Sequence, residues 1–90
     1  MMKDLDLRNA EMPYIDFSKC TIEDSCFNGA DMRGVNLEQS TVRNCLFNCA
    51  SMQEVKIKGA IFTNCDFTGA NLSLVDLNSA VFEECRGIEE

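Results

Sequence analysis

Six cysteines, at positions 20, 26, 45, 49, 65 and 85, and fifteen acidic residues are the side chains of this 90-residue sequence most able to do chemistry. No histidine occurs, which removes every mixed Cys/His zinc pattern, and no two cysteines stand in a CxxC spacing. A disulfide framework would need an oxidising, secretory context. The N-terminal stretch MMKDLDLRNAEMPYIDF is instead charged throughout and holds no apolar run of signal-peptide or membrane length. The expectation is a cytoplasmic protein whose cysteines stay reduced, bind no metal and serve as small apolar residues. Carboxylate pairs such as Glu11 with Asp31, or Asp66 with Asp76, have the composition of a general acid and base. Nothing accompanies them: there is no Gly-rich phosphate loop, and the single tyrosine, Tyr14, falls in a turn. No enzyme activity and no cofactor are expected. A net charge of −7, from 15 acids against 8 bases, argues against nucleic acid or an anionic membrane as a partner and leaves basic protein surfaces open.

The elements that would position these residues follow from a period of five. Leu7, Met12, Phe17, Ile22, Phe27, Met32, Leu37, Val42, Phe47, Met52, Ile57, Phe62, Phe67, Leu72, Leu77 and Phe82 are all large and apolar, and Met2 extends the series by one unit. A helix turns by about 100° per residue, so steps of five leave no stripe, and in a flat strand an odd period alternates faces. The chain must turn a corner every five residues. Two residues before each centre lies an uncharged column of small or aliphatic residues, among them Leu5, Ala10, Ile15, Cys20, Ala30, Cys45, Ala50, Cys65 and Cys85. Both columns read as inward and the polar residues as outward, with all sixteen centres buried.

The corners carry suitable chemistry. Gly29, Gly34, Gly59 and Gly69 occupy the second corner position, where a type II turn needs a positive φ, and Pro13 occupies the first. Corners without glycine, such as LEQS at 37–40, are expected to use another turn type. A second periodicity, of 20, stacks Ala10, Ala30, Ala50 and Ala70, then Phe27, Phe47 and Phe67, then Cys45, Cys65 and Cys85. A spacing of 15 scrambles these columns, so each coil has four sides. Stacked coils hydrogen-bond as in a parallel ladder. Cys26 and Cys49 fall on outward positions and are the thiols expected to react with reagents.

With units such as ANLSL at 70–74, ADMRG at 30–34 and CDFTG at 65–69, the sequence resembles the pentapeptide-repeat family, whose unit is Ala-(Asp/Asn)-Leu-X-X. The resemblance spans residues 2–86, with 87–90 as a C-terminal tail, and implies a single all-β domain over 1–90. That domain would be a right-handed quadrilateral parallel β-helix of about four coils.

Fold alone does not decide function. The reading from the surface is a non-enzymatic interaction or scaffold module with a protein partner. Thr21, Thr41, Ile61 and Val81 form an outward β-branched column, and Leu46 lies beyond the adjoining corner, so Leu46, Ile61 and Val81 are the candidate contact surface. The alternative comes from the resemblance, since some family members mimic double-stranded DNA and bind DNA gyrase, inhibiting it or protecting it from quinolones. Four coils give only about 20 Å, against roughly 34 Å for a turn of DNA. Residues 25–64 also carry four bases against three acids, which interrupts the negative charge. The open ends of such a coil expose unpaired backbone and apolar interior, so self-association through a coil end is a further expectation. Ile88 is expected to fold over Phe82 and Cys85 as a small lid. Joining two C-terminal ends would oppose Glu83, Glu84, Glu89 and Glu90.

Overall fold

A computed structural model describes residues 1–88. Glu89 and Glu90, and with them their part in the expected C-terminal repulsion, lie outside the described residues. Five short strands, β1 (Met2–Lys3), β2 (Thr21–Glu23), β3 (Thr41–Arg43), β4 (Ile61–Thr63) and β5 (Val81–Glu83), form one parallel sheet in chain order. The register offset is always 20: Met2 pairs Ile22, Ile22 pairs Val42, Val42 pairs Phe62 and Phe62 pairs Phe82. Here β-branched residues concentrate, which suits a half-buried pleated surface. Three further faces are joined by single parallel bridges with the same offset. One column runs Asp6, Cys26, Leu46, Asp66, Arg86, the next Glu11, Asp31, Ser51, Asn71, and the last Asp16, Asn36, Lys56. The result is a parallel β-helix with the four sides that the two periodicities predict and the right hand that the family resemblance implies.

Backbone bonds run up and down between coils. Cys26 N–H donates to Leu5 C=O at 2.9 Å and Leu7 N–H donates back to Cys26 C=O at 2.8 Å, a pattern repeated along the chain. Nearly every contact therefore satisfies peptide groups that burial would otherwise leave costly. An outward Asp or Asn just before a centre adds a local bond. Asp16, Asn36, Asp66 and Asn71 each accept the N–H two residues ahead, at 2.8 to 3.0 Å. This is why Asp and Asn favour that place in the unit.

The corners correct one expectation. LEQS does not use a different turn: Gln39 has φ 61° and Ser40 N–H donates to Leu37 C=O at 3.2 Å. Glu54, Cys49 and Leu74 also take φ near 60°. Coil closure and the ladder bonds above and below dictate the backbone path, so residues other than glycine are held in the left-handed region at some cost in strain. Glycine is indispensable in a narrower sense at Gly87, with φ 80°, where an added Cβ would lie 2.5 Å from the backbone of Phe67 and Thr68.

The interior is built from ladders of like residues. Phe27, Phe47 and Phe67 stack with centroids 4.9 Å apart and planes within 3°, and Phe62 stacks on Phe82 at 5.1 Å. The two stacks meet edge to face, Phe62 against Phe67 at 5.4 Å and 78°. Burial departs from expectation at the ends. Leu7, Phe17, Leu72, Leu77 and Phe82 are only half-buried, because each lies in a coil covered on one side alone. Ile15, placed in an inward column by its register, is exposed for the same reason. The fourth face also breaks register in the last coil, where a 3-10 turn over Leu77–Ser79, capped by Asp76, replaces the usual corner. Gly59 N–H then bonds Ser79 C=O, 20 residues on, where Gln39 N–H bonds Lys58 C=O, 19 on. Ile88 is half-buried and packs against the core.

Candidate interaction surface

Outward side chains in this fold line up in columns about 4.8 Å per step. The structure brings two of the candidate residues together: Ile61 and Val81 are register partners in β4 and β5, exposed by 42% and 51%. Thr21 and Thr41 continue their column and are half-buried. Leu46, 42% exposed, stands one face away, between Cys26 and Asp66. The corner separating them is a polar ridge. Asn64 Nδ2 donates to Asn44 Oδ1 at 2.9 Å, and Asn44 Nδ2 donates to Asp24 Oδ1 at 3.1 Å, an amide ladder climbing the edge. Tyr14 and Leu74, both strongly exposed, lie outside the candidate contact surface of Leu46, Ile61 and Val81. Their place at the second corner position, which always points outward, was the available signal.

The acidic residues are arranged as fixed charges. Arg8 donates from Nε and Nη2 to Asp6 at 2.8 Å and holds that carboxyl down at about 2, well below the usual carboxylate range. Arg33 donates from Nε and Nη2 to Asp31 at 2.8 and 2.7 Å and lowers that carboxyl below its ordinary range, and the Thr68 hydroxyl, 2.6 Å away, lowers Asp66. Each stays ionised at neutral pH and so holds no proton to give as an acid. Glu11 and Asp31 are bridge partners on one face, whereas Asp66 and Asp76 lie on different faces and do not form a pair.

The inward thiols occupy a ladder. Cys45 and Cys65 are buried and Cys85 half-buried, with Cys45 Sγ 3.2 Å from Arg43 C=O and Cys65 Sγ 3.4 Å from Thr63 C=O. The hydrogen bond with Cys45, together with burial, pushes the Cys65 thiol up, and burial pushes Cys85 up. Cys49 is exposed as expected, but Cys26 is half-buried between Asp6 and Leu46 in its column. Among the described residues no group of three or more Cys, Asp or Glu is placed to hold a metal ion. No helix among them is long and apolar enough to cross a membrane.

The family model described as pentapeptide repeats, in eight copies, matches residues 2–39, 25–64 and 50–86. The chain belongs to the pentapeptide-repeat family. No curated protein matches it. Among solved structures, this pentapeptide-repeat chain is similar to a trypsin-treated form of QnrB1, a plasmid-mediated fluoroquinolone resistance protein. Identity is 21%, with a TM-score of 0.47, covering 89% of this chain and 46% of that one. The chain thus spans about half the length of that protein.

Proposed function

We infer that this pentapeptide-repeat chain is a non-enzymatic module that binds a protein partner in the cytoplasm. The observation carrying this is the pairing of Ile61 with Val81, with Leu46 one face away, on a coil whose other outward positions are mostly polar. Apolar side chains left outward on a rigid lattice lose nothing in ordering when a partner covers them. The reading extends to the coil ends, where a second copy would cover half-buried centres such as Leu7, Phe17 and Phe82. Gyrase mimicry gains no support from the dimensions: the Cα extents are 27 × 23 × 22 Å, less than the roughly 34 Å of one DNA turn. The test sets a pull-down with the intact chain beside a gyrase supercoiling assay. A discrete partner lost from an Ile61→Asp, Val81→Asp variant, with supercoiling unchanged, is expected. Inhibition of supercoiling, or protection of gyrase from a quinolone, at comparable concentration would overturn the assignment.

A further inference from the structure

Two hollows open beyond the corner that follows the strand sheet, and both are lined by Asn44 and Leu46. The larger, of about 430 Å³, is lined by Asp4, Asp6, Asp24, Cys26, Asn44 and Leu46 among others. The smaller, of about 220 Å³, shares Asn44 and Leu46 and continues to Asn64, Asp66, Glu84 and Arg86. Together they make a groove along the solenoid axis. One wall is the corner column Asp4, Asp24, Asn44, Asn64, Glu84, all at positive φ. The other is the bridge column Asp6, Cys26, Leu46, Asp66, Arg86.

Spacing follows from the ladder. Each coil advances both walls by about 4.8 Å, so Asp4 stands about 10 Å before Leu46 and Glu84 about 10 Å beyond it. An extended chain covers about 10 Å in three residues. Charge is lopsided: the lining holds five carboxylates against Arg86, and Arg8 neutralises Asp6 from outside it, which leaves a surplus of three negative charges. At the centre is the half-exposed Leu46, the one apolar residue of size on either wall. Each amide of the Asn44–Asn64 ladder uses one N–H within the ladder and carries a second, suited to a peptide carbonyl.

We propose that this groove binds an extended basic segment of a partner protein, with an apolar residue seated on Leu46 and Lys or Arg three residues to either side. This deepens the interaction-module reading and rests on it. The acidic ends select the flanking bases, the central leucine supplies a dehydrated contact, and the ladder-braced corner is formed before binding. Nucleic acids and anionic lipid surfaces are rejected by the same charge.

The test is a titration of the isotope-labelled intact chain with the synthetic peptide Gly-Arg-Ser-Gly-Leu-Ser-Gly-Arg-Gly, followed by amide chemical shifts. Shifts confined to residues 4–6, 24–26, 44–46, 64–66 and 84–86 are expected. A peptide with Glu in place of both Arg should leave the spectrum unchanged. Leu46→Ser, at an outward position that should not alter melting, should weaken binding about fivefold or more. The Asp24→Asn, Glu84→Gln pair should weaken it and flatten its dependence on salt. No shifts at millimolar peptide, shifts spread over all four faces, or equal response to the acidic peptide would each overturn the groove. A chain that fails these tests yet still retains a partner through Ile61 and Val81 loses the groove and keeps the broader reading.

Discussion

Ala50 lies at the middle of the small inward column, 1% exposed, with its N–H bonded to Phe47 C=O at 3.2 Å and its C=O accepting from Asn71 N–H at 3.0 Å. Both neighbours along the axis are alanines, so added volume meets packed backbone and not a flexible side chain. Ala50→Leu is expected to destabilise by about 1–3 kcal/mol, read as a clear drop in melting temperature; an unchanged melt would contradict burial there. The thiols provide a second check at this scale. Cys49 is exposed, whereas Cys45 and Cys65 are buried and Cys65 is pushed up by its hydrogen bond with Cys45 and by burial. Alkylation of the native chain at pH 8 should label Cys49 first and leave Cys45 and Cys65 until the protein unfolds. Intact mass without reductant should show six free thiols, and a loss of two mass units per bridge, or bound zinc, would refute this.

At the scale of the turn, the Asp or Asn that precedes seven of the sixteen centres ties charge to shape. Asp6, Asp16, Asp31 and Asp66 are held below the normal carboxylate range by hydrogen bonds that need the ionised form, with Arg8, Ser18, Arg33 and Thr68 the first partners. A depressed native pKa contributes stability that is present above the unfolded value, about 4 for Asp, and is lost as pH falls toward the native one. For Asp6 the window runs from about 4 down to about 2. Asp6 and Asp16 are exposed and Asp31 and Asp66 only half-buried, so each effect is small and screened. Melting temperature should therefore fall across that window, and the Asp6→Asn, Asp31→Asn double variant should show a shallower acid limb than the parent. An acid limb of equal steepness would mean that these turns do not couple to folding.

For the molecule as a whole, the ladder that satisfies the middle coils leaves both ends with half-buried centres and a free edge. The N-terminal coil carries bases and acids interleaved, Lys3, Arg8 and Lys19 against Asp4, Asp6, Glu11 and Asp16. At the other end Asp76, Glu83 and Glu84 face one Arg86. Sedimentation over a concentration series is expected to show reversible self-association. Association that strengthens with salt would place the junction at the acidic C-terminal end, where screening relieves repulsion. A strict monomer at high concentration in both low and high salt would rule the coil-end contact out.

What the residues alone determined is everything tied to the two periodicities. A period of five sets which side chains point inward, and a period of 20 sets which of them stack, because each coil must return above itself by one hydrogen-bond step. Exposure of Ile61, Val81 and Leu46 follows from the same register. The structure alone decided where the repeat yields. Positive φ at Gln39, Glu54 and Leu74 is imposed by coil closure, a nonlocal condition that overrides residue preference. Half-burial of Phe17 and Phe82 and exposure of Ile15 depend on which coils have neighbours, not on residue type. The groove was hidden for a similar reason. Asp4, Asp24 and Glu84 sit 22 to 42 positions from Leu46 in the chain, and only the pitch and corner of the folded coil set them along one line.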